Sequence, residues 1–536
     1  MTQKEFIIQN ANYAFDMKNN ENLNYTSIKE TKTNLTNNRK NKMNGDNEEV
    51  STKKNKLIWR EDNGISRECN LYPRMSAKFS NNTLPQFTVA EVAKHNTKTD
   101  CWIILDERVY DITRFIDRHP GGVGPVVNMA GKDATDVFAN YHAARVYEKM
   151  LPQYLIGECT NVKTYPHVED FRQARQQMLK EGLFEASYYW YGKLVLWLAS
   201  WFIGALLFSL GYVGNGTCTM RMIGAAMMGI FWQQLAGLGH DLGHSGVTHD
   251  FHKDHKIGSF LSALMGLSVC WWKSDHNTHH IVCNAVEHDP NIQHMPLLAI
   301  TDKIFEKPFW DTYHKKWVKM DWLARFLISY QHIVFYPLMA LGRWNLYAQG
   351  IIFLLSGYDK AHYKWTEITG IGFFFVWMFS IAFSMPTGFQ ILGWMLISHA
   401  VAGILHVQIV LSHWSMETYK GTPYVNEETE WYLMQLRTTM NVATNPWLDY
   451  VHIGLQFQIE HHLYPRLPRH NLRYARNLVK NICKKHNIYY HEPGFFEGNV
   501  EMWKALRDAA YAARKTTKSD GGFYQSKLWA ALNADG

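Results

Sequence analysis

Cysteine is scarce in this sequence, and its placement excludes two common uses of the residue. The seven cysteines of the 536-residue chain are scattered, odd in number and form no Cys-x-x-Cys pair. Such a set excludes a disulfide framework and a cysteine-rich zinc module. We interpret the cysteines as reduced residues of a chain that mostly faces the cytosol.

An excess of charge of one sign is also lacking. The formal net charge is +7, from 55 Lys and Arg against 48 Asp and Glu. Spread over so long a chain, this excess is typical of loops beside a membrane, and we expect no nucleic-acid partner. Residues 1–20 contain no continuous apolar run of the length that a secretory signal peptide needs, so we expect none there.

Aliphatic side chains are few in residues 1–84, which are instead rich in Asn, Lys, Thr and Glu. Such a composition buries too little apolar surface to offset the entropy lost on ordering the chain. We therefore expect a disordered N-terminal extension and assign it no function.

Aromatic residues and long apolar runs, in contrast, are plentiful. The chain has 20 Trp, 28 Tyr and 28 Phe, residues that favour membrane interfaces. About 20 apolar residues span a bilayer. The predicted spans are 190–213, 219–238, 366–385 and 388–411. Residues 326–358 are interrupted by Pro337 and Arg343 and predict two half-helices. Residues 257–272 are too short to cross and predict a segment that lies in the interface or is buried against protein.

Loop charge sets the predicted orientation. Residues 273–325 carry many Lys and Arg, whereas the turns near 214 and 386 carry no charge. The positive-inside rule places the basic loops in the cytosol. The spans come in pairs, so the chain returns to the cytosol after each pair. The segments near residues 240, 280 and 460 are therefore predicted to share one face of the membrane.

Three histidine clusters carry the chemistry. Their side chains recur at i, i+4 or at i, i+3, i+4, so on a helix each cluster lies on one face. Imidazole is a good ligand for iron, copper and zinc, and seven imidazoles exceed the four ligands of one zinc site. The count suits a pair of transition-metal ions. The clusters contain His240 and His244; His276, His279 and His280; and Gln458, His461 and His462.

Other polar residues accompany the clusters. Asp241 and Glu460 lie inside them and are predicted to accept N–H from the ligating histidines. The run from Glu287 to Pro290, after the second cluster, either orients substrate or ends a helix. His249, His252 and His255 recur every three residues, which we interpret as a solvated loop, with a further metal cluster as the alternative.

Residues 85–160 have a different character. Segments 100–105 and 108–112 predict two strands around a turn at Asp106 and Glu107. His119 opens a His-Pro-Gly-Gly turn, and His142 follows 23 residues later. Two histidines on opposing short helices can hold a haem iron from both faces, which leaves electron transfer as its function. The segment resembles a cytochrome b5 domain, which implies His119 and His142 as the axial haem ligands.

These features together predict a reaction class. Zinc does no redox chemistry, yet an electron-transfer module is fused to the histidine clusters. A redox metal pair that activates O2, in a membrane, indicates a lipid as the source of hydrogen. The residues alone therefore predict a di-metal oxidase or desaturase of lipids that receives electrons from its own haem.

The motifs H-x3-H, H-x2-HH and Q-x2-HH, with the His-Pro-Gly-Gly domain, resemble the front-end desaturases over about residues 85–500. The resemblance implies a multi-pass α-helical membrane protein, with about four transmembrane helices and a cytosolic helical cap, plus a small α+β cytochrome b5 domain. It implies haem b, two non-haem iron ions, O2 and NADH-cytochrome b5 reductase as electron donor, at the endoplasmic reticulum. The domains implied are 1–84 (extension), 85–160 (haem domain), 161–189 (linker), 190–500 (membrane desaturase domain) and 501–536 (cytosolic tail).

The same resemblance implies a set of iron ligands. Gln458 stands where many desaturases have a histidine, and in this family it marks the front-end branch. A further histidine at the end of the last span is His413, with His406 as the alternative. The implied ligands are His240, His244, His276, His279, His280, His413, Gln458, His461 and His462.

The substrate is less sharply indicated. The runs around His240 and from Trp271 to Pro296 are similar to those of Δ8 sphingolipid desaturases, which favours Δ8 of a sphingoid base. Δ5 and Δ6 acyl desaturases share much of this pattern and remain the alternative. A lipid hydroxylase and a non-enzymatic haem-bearing receptor are the other two function classes.

Overall fold

The computed structural model of the protein describes residues 84–292, 294–356 and 362–515. The predicted N-terminal extension lies outside the described residues except for Leu84, as do residues 516–536 of the predicted tail.

A small α+β unit forms first. Its five-stranded sheet has the order β1-β5-β4-β3-β2, with β1 parallel to β5 and the other neighbours antiparallel. The turn at Asp106 and Glu107, both at positive φ, joins β3 to β4 and confirms the predicted hairpin. The strands are β1 (Gln86–Thr88), β2 (Asn96–Thr97), β3 (Asp100–Leu105), β4 (Arg108–Asp111) and β5 (Leu155–Thr160).

Short helices complete this unit. Thr88 begins the first with a capping box, in which its hydroxyl accepts the Glu91 N–H and the Glu91 carboxylate accepts the Thr88 N–H. Ile104 and Val109 are fully buried in the core between sheet and helices. The helices are α1 (Val89–Val92), α2 (Val123–Asn128), α3 (Thr135–Tyr141) and α4 (Ala144–Lys149).

The predicted linker 161–189 is mostly one helix, α5 (Pro166–Lys180), with proline at its first position. Phe171 and Met178 on this helix are fully buried. The Phe171 ring stacks on Tyr432, with centroids 4.6 Å apart. The segment therefore packs against the following domain.

Four helices are long and apolar enough to cross a membrane: Tyr188–Ser209, Gln331–Ser356, Lys364–Phe383 and Gly388–Trp414. The last has a break at Gly403 and comprises two helices. Trp232 and Trp394 are fully buried in the core between the long helices. The helices of this region are α6 (Tyr188–Ser209), α7 (Cys218–Gly243), α8 (Phe251–Met265), α9 (Val269–Val282), α10 (Trp322–Ile328), α11 (Gln331–Ser356), α12 (Lys364–Phe383), α13 (Gly388–Ala402) and α14 (Ile404–Trp414).

Two predicted segments differ from the structure. Residues 326–358, predicted as two half-helices, contain the single long helix α11. Arg343 does not interrupt it, because its guanidinium donates to Met265 O and Tyr347 Oη and lies over the Trp232 ring. The predicted span 219–238 is the helix α7, which is not among the four apolar helices. Gln233 and Gln234 within it are buried and donate to backbone carbonyls of Val451 and Tyr450.

The remaining helices cover the ends of the long ones. Helix α19 crosses the predicted domain boundary at residue 500, and its Met502 and Leu506 are fully buried. A two-stranded ribbon, β6 (Phe309–Asp311) and β7 (Lys316–Val318), lies in the loop before α10. The helices are α15 (Trp431–Thr438), α16 (Asp449–His452), α17 (Gln458–Leu463), α18 (Leu472–Lys485) and α19 (Phe495–Lys515).

Candidate metal centre and haem cavity

The three predicted histidine clusters lie on three helices that meet at one buried place. The first is at the end of α7, the second on α9 and the third on α17. The segment predicted as interfacial or buried, 257–272, is divided by Gly266, whose φ of +71° turns the chain between α8 and α9. This turn directs the second cluster back toward the first. His413, at the end of α14, joins them.

The clustered side chains form two adjacent groups. In each group the candidate ligand atoms lie within 4.8 Å of one another. His280 connects the groups, because its Nε2 is 3.0 Å from His276 Nε2 and its ring stacks on that of His462, with centroids 4.1 Å apart. The first group is His240, His244, His276 and His461; the second is His279, Cys283, His413 and His462.

Unsatisfied nitrogen atoms show that these residues fit metal ions. Within the two groups, four buried Nε2 atoms lack a hydrogen-bond partner among the described residues, and leaving a buried polar atom unpaired costs about 1–3 kcal/mol. Burial, and then neighbouring imidazoles, hold the pKa of His280 and His462 well below the usual value. Both rings are therefore neutral, the form that binds metal. The unpaired atoms belong to His240, His244, His461 and His462.

Gln458 also faces this place. It lines a small cavity with His240 and His461, and its buried Oε1 has no hydrogen-bond partner among the described residues. An amide oxygen in that position can bind a metal ion or accept a hydrogen bond from water. His406, the alternative to His413, is not in either group; its Nδ1 donates to Met339 O, and its buried Nε2 has no hydrogen-bond partner among the described residues.

Three acceptors orient the histidines of the second group. His279 Nδ1 lies 3.0 Å from a carboxylate oxygen of Asp289, and His462 Nδ1 lies 2.9 Å from Gln435 Oε1. Since these oxygens accept, each Nδ1 carries a proton, so each ring in its neutral form keeps the lone pair on Nε2. His413 Nδ1 makes a similar contact of 3.3 Å with the backbone carbonyl of Thr438.

The prediction that Asp241 and Glu460 accept N–H from the ligating histidines is wrong. Asp241 Oδ1 is 3.9 Å from His240 Nδ1, too far for a hydrogen bond. Asp241 instead accepts from Tyr191 Oη at 2.9 Å and pairs with Arg469 Nε at 3.0 Å.

Glu460 likewise contacts no histidine of the groups by hydrogen bond in the described chain. Its carboxylate accepts from Asn441 Nδ2 at 2.7 Å and from Tyr490 Oη at 2.8 Å. Burial raises the pKa of Glu460 to about 7. These contacts fix α17 to the segment that precedes α16 and to the chain after α18, so Glu460 positions the helix that carries the third cluster.

Sequence reasoning missed Cys283, which it treated as incidental. The Cys283 Sγ atom is buried, 3.3 Å from His413 Nδ1 and 4.0 Å from His279 Nε2. The available signal was its position four residues after His279, which puts both on one helical face.

The run of histidines at 249, 252 and 255 lies outside the two metal-binding groups. His255 is buried, so the solvated-loop interpretation is wrong for it, and its Nε2 is 3.2 Å from Cys270 Sγ. With Glu367 these residues make a third group of possible ligands. Glu367, however, already accepts from Ser259 Oγ, Ser268 Oγ and the Cys270 N–H.

The α+β unit holds the second predicted site. His119 and His142 line a cavity of about 470 Å³, with ring centroids 6.0 Å apart. Their Nδ1 atoms lie 2.9 Å from Gly122 O and 3.1 Å from Phe138 O. Carbonyls accept, so each Nε2 carries the lone pair that iron requires. Burial lowers the pKa of His142 to about 3, which keeps its ring neutral.

The cavity wall contributed by this unit suits a flat apolar ligand with an iron at its centre. The side chains that this unit contributes to the cavity around the two histidines are mostly apolar. The residues therefore fit a haem. The apolar lining includes Ile103, Phe115, Val126, Met129, Val137 and Leu151.

Two family models match the chain. The family model for fatty acid desaturase matches residues 216–494, which include every member of the two metal-binding groups. The chain belongs to the fatty acid desaturase family. A model for the cytochrome b5-like haem/steroid binding domain matches residues 88–160, which contain His119 and His142.

Several known desaturases are similar to this chain over most of its length. A Δ8-fatty-acid desaturase of Helianthus annuus is 34% identical over 452 residues, covering 84% of this chain and 96% of the relative. An acyl-lipid (9-3)-desaturase of Borago officinalis is 34% identical and covers 84% of this chain and 98% of its own. A Δ8-(E)-sphingolipid desaturase of Kluyveromyces lactis is 35% identical, and the match covers 75% of this chain and 71% of the relative.

Proposed function

We propose that this desaturase is a front-end lipid desaturase with a haem b in the cavity between His119 and His142 and two non-haem irons at the histidine groups. The observation that carries the proposal is the pair of adjacent groups with four unpaired, buried Nε2 atoms. When bound, two irons supply activation of O2 for removal of hydrogen from an unactivated C–H bond. The proposed iron ligands are His240, His244, His276, His279, His280, His413, Gln458, His461 and His462.

The two sites adjoin within one chain, which supports electron delivery from the protein's own haem domain. His244 of the first group also lines the cavity that holds His119 and His142. Tyr141, next to His142, lies edge-on to His280, with ring centroids 6.2 Å apart. Electrons would enter the haem domain from NADH-cytochrome b5 reductase.

The helices and the charge support a membrane placement. The four apolar helices make this an integral membrane protein. Both the histidine groups and the haem domain are proposed to lie on the cytosolic face of the endoplasmic reticulum. The support is the basic character of the chain after the third cluster, with Arg466, Arg469, Arg473 and Arg476.

For the substrate we propose a sphingoid long-chain base, with the double bond introduced at Δ8. Relatives named Δ8-(E)-sphingolipid desaturase and Δ8-fatty-acid desaturase support that position. Relatives named acyl-lipid (9-3)-desaturase and Δ8-fatty-acid desaturase support the second candidate, a polyunsaturated acyl chain desaturated at Δ5, Δ6 or Δ8. In both cases the head group stays near the cytosolic face, so carbons close to it reach the metal centre.

Lipid analysis after expression in a host without such desaturases tests the proposal. Hydroxylated sphingoid bases and saturated, monounsaturated and polyunsaturated acyl chains are supplied, and double bonds are mapped by mass spectrometry. We expect a Δ8-unsaturated base, absent from cells that carry the His461→Ala variant. Acyl products alone would select the second candidate. Hydroxylated products, or double bonds only toward the methyl end, would overturn the front-end assignment.

A further inference from the structure

The cavity that holds His119 and His142 has two chemically different walls. The wall from the haem domain is apolar around the two histidines. The opposite wall comes from the desaturase domain and is polar and partly cationic. The residues of that second wall include His244, Ser245, His249, His252, Lys273, Asn277 and Arg466.

Lys273 is the most unusual member of the polar wall. It lies on α9, only 7% of its surface is exposed, and within the described ranges it has no ion pair or hydrogen bond. Its Nζ lies over the Phe251 ring, 4.3 Å from the centroid. The carboxylate of Asp254, which acts on Lys273 electrostatically, already accepts the N–H groups of Val247 and Thr248. Burial lowers the pKa of Lys273 to about 8.

Arg466 is a second cation on the same wall. It follows the third histidine cluster and lies in the part-buried lining of the cavity. In the portion of the chain that is described, its guanidinium has no ion pair and no hydrogen bond. Arg145, on the haem-domain side, lies 3.8 Å from Asp250 and is more than half exposed, so it already has a counter-charge.

A buried cation without a counter-ion is costly, because desolvation is not repaid by attraction. Lys273 and Arg466, a buried and a half-buried cation that line one cavity, therefore indicate a ligand with two negative charges. Haem b has this form: a flat apolar ring, which matches the haem-domain wall, and two propionate carboxylates on one side. Arg and Lys both bind carboxylates well by charge-assisted hydrogen bonds.

We propose that Lys273 and Arg466 of the desaturase domain bind the two propionate groups of the haem. The inference rests on the proposed haem site. It makes the cofactor site complete only when the two domains are docked, a contact in which Asn277 Nδ2 also donates to Gly121 O at 3.1 Å. Bound in this way, the two carboxylates would lie toward the wall that contains His244.

The test compares haem retention in full-length variants purified in detergent. The variants are Lys273→Met and Arg466→Met, and Lys256→Met is the control because Lys256 is an exposed lysine on the neighbouring helix α8. Haem transfer to excess apomyoglobin is followed by absorbance, and the haem reduction potential is titrated. We expect about tenfold faster haem loss for each variant, the size of one lost charge-assisted hydrogen bond. The reduction potential should fall, since a nearby cation favours the reduced haem.

A modified cofactor separates propionate binding from folding. The apoprotein is reconstituted with haem b or with its dimethyl ester, which lacks the two carboxylates. With the ester, Lys273→Met, Arg466→Met and the unmodified protein should lose the cofactor at the same rate, and Lys273→Arg should retain haem b like the unmodified protein. Variants that keep haem b as well as the control, or that lose the ester faster than the unmodified protein, would overturn the inference. An unmodified protein that binds no haem would refute the proposed haem site instead.

Discussion

Asp289→Asn is the substitution that most sharply tests how the second metal-binding group is built. Asp289 is fully buried, and its two oxygens lie 3.1 and 3.0 Å from His279 Nδ1. They also accept the N–H groups of Asn284 and Asn291, at 2.6 and 2.8 Å. Three donors therefore converge on this carboxylate. Asparagine keeps the shape but has one acceptor oxygen, and its NH2 group must face at least one of those donors.

Each carboxylate oxygen accepts one peptide N–H, so the NH2 group faces a peptide donor in either orientation, and His279 Nδ1 keeps at most the one remaining oxygen as an acceptor. If the new NH2 group faces the ring, His279 Nδ1 must accept and the proton moves to Nε2, where it blocks metal binding. Loss of such a supporting acceptor typically costs 10–100-fold in metal affinity or activity, equal to about 1.4–2.7 kcal/mol. We expect Asp289→Asn to lose iron and turnover in this range, approaching the effect of His279→Ala.

The assay measures non-haem iron per chain, product formation and the thermal unfolding midpoint. Asp311→Asn is the matched control: Asp311 is equally buried and accepts from His314 Nδ1 at 2.7 Å, but His314 is not in either metal-binding group. The control should lower stability alone. Normal iron content and turnover in Asp289→Asn, or equal iron loss in the control, would refute the assigned role of Asp289.

Three further predictions use single histidines. His119→Ala should remove the haem absorbance band and most turnover while iron remains bound, because neither proposed haem ligand is a proposed iron ligand; full activity in cells would show that free cytochrome b5 replaces the fused domain. His461→Ala should abolish product with little change in folded protein, measured by size-exclusion chromatography, since several other ligands hold the helices; unchanged product would remove it from the site. His413→Ala should lower iron content, whereas His406→Ala on the same helix should not, and equal iron contents would contradict this assignment.

Local sequence determined much of this site. The histidine spacings predict which side chains share a helical face, and the structure brings all three clusters and His413 together. The hairpin at Asp106 and the capping box at Thr88 were also predictable, because neighbouring residues alone decide them. The choice of His413 over His406 came from resemblance, and the position of His413 beside Cys283 supports it.

Contacts between distant segments decided the rest. Gln435 lies 27 residues before His462 in the sequence, and no periodicity connects the two. Asp241 is adjacent to His240, yet Tyr191 and Arg469 occupy its carboxylate. The cations Lys273 and Arg466 meet at one cavity wall only because α9 and the chain after α17 converge there.

The helix α11 shows the physical reason for this division. Its sequence predicts an interruption, because a charge in an apolar segment is costly unless it is paired. Whether Arg343 is paired depends on Met265 and Trp232, which arrive from other helices. Sequence spacing determines which side chains a helix presents together, since that follows from the local geometry of the backbone. Tertiary structure decides which partner satisfies each buried polar group, since that partner comes from elsewhere in the chain.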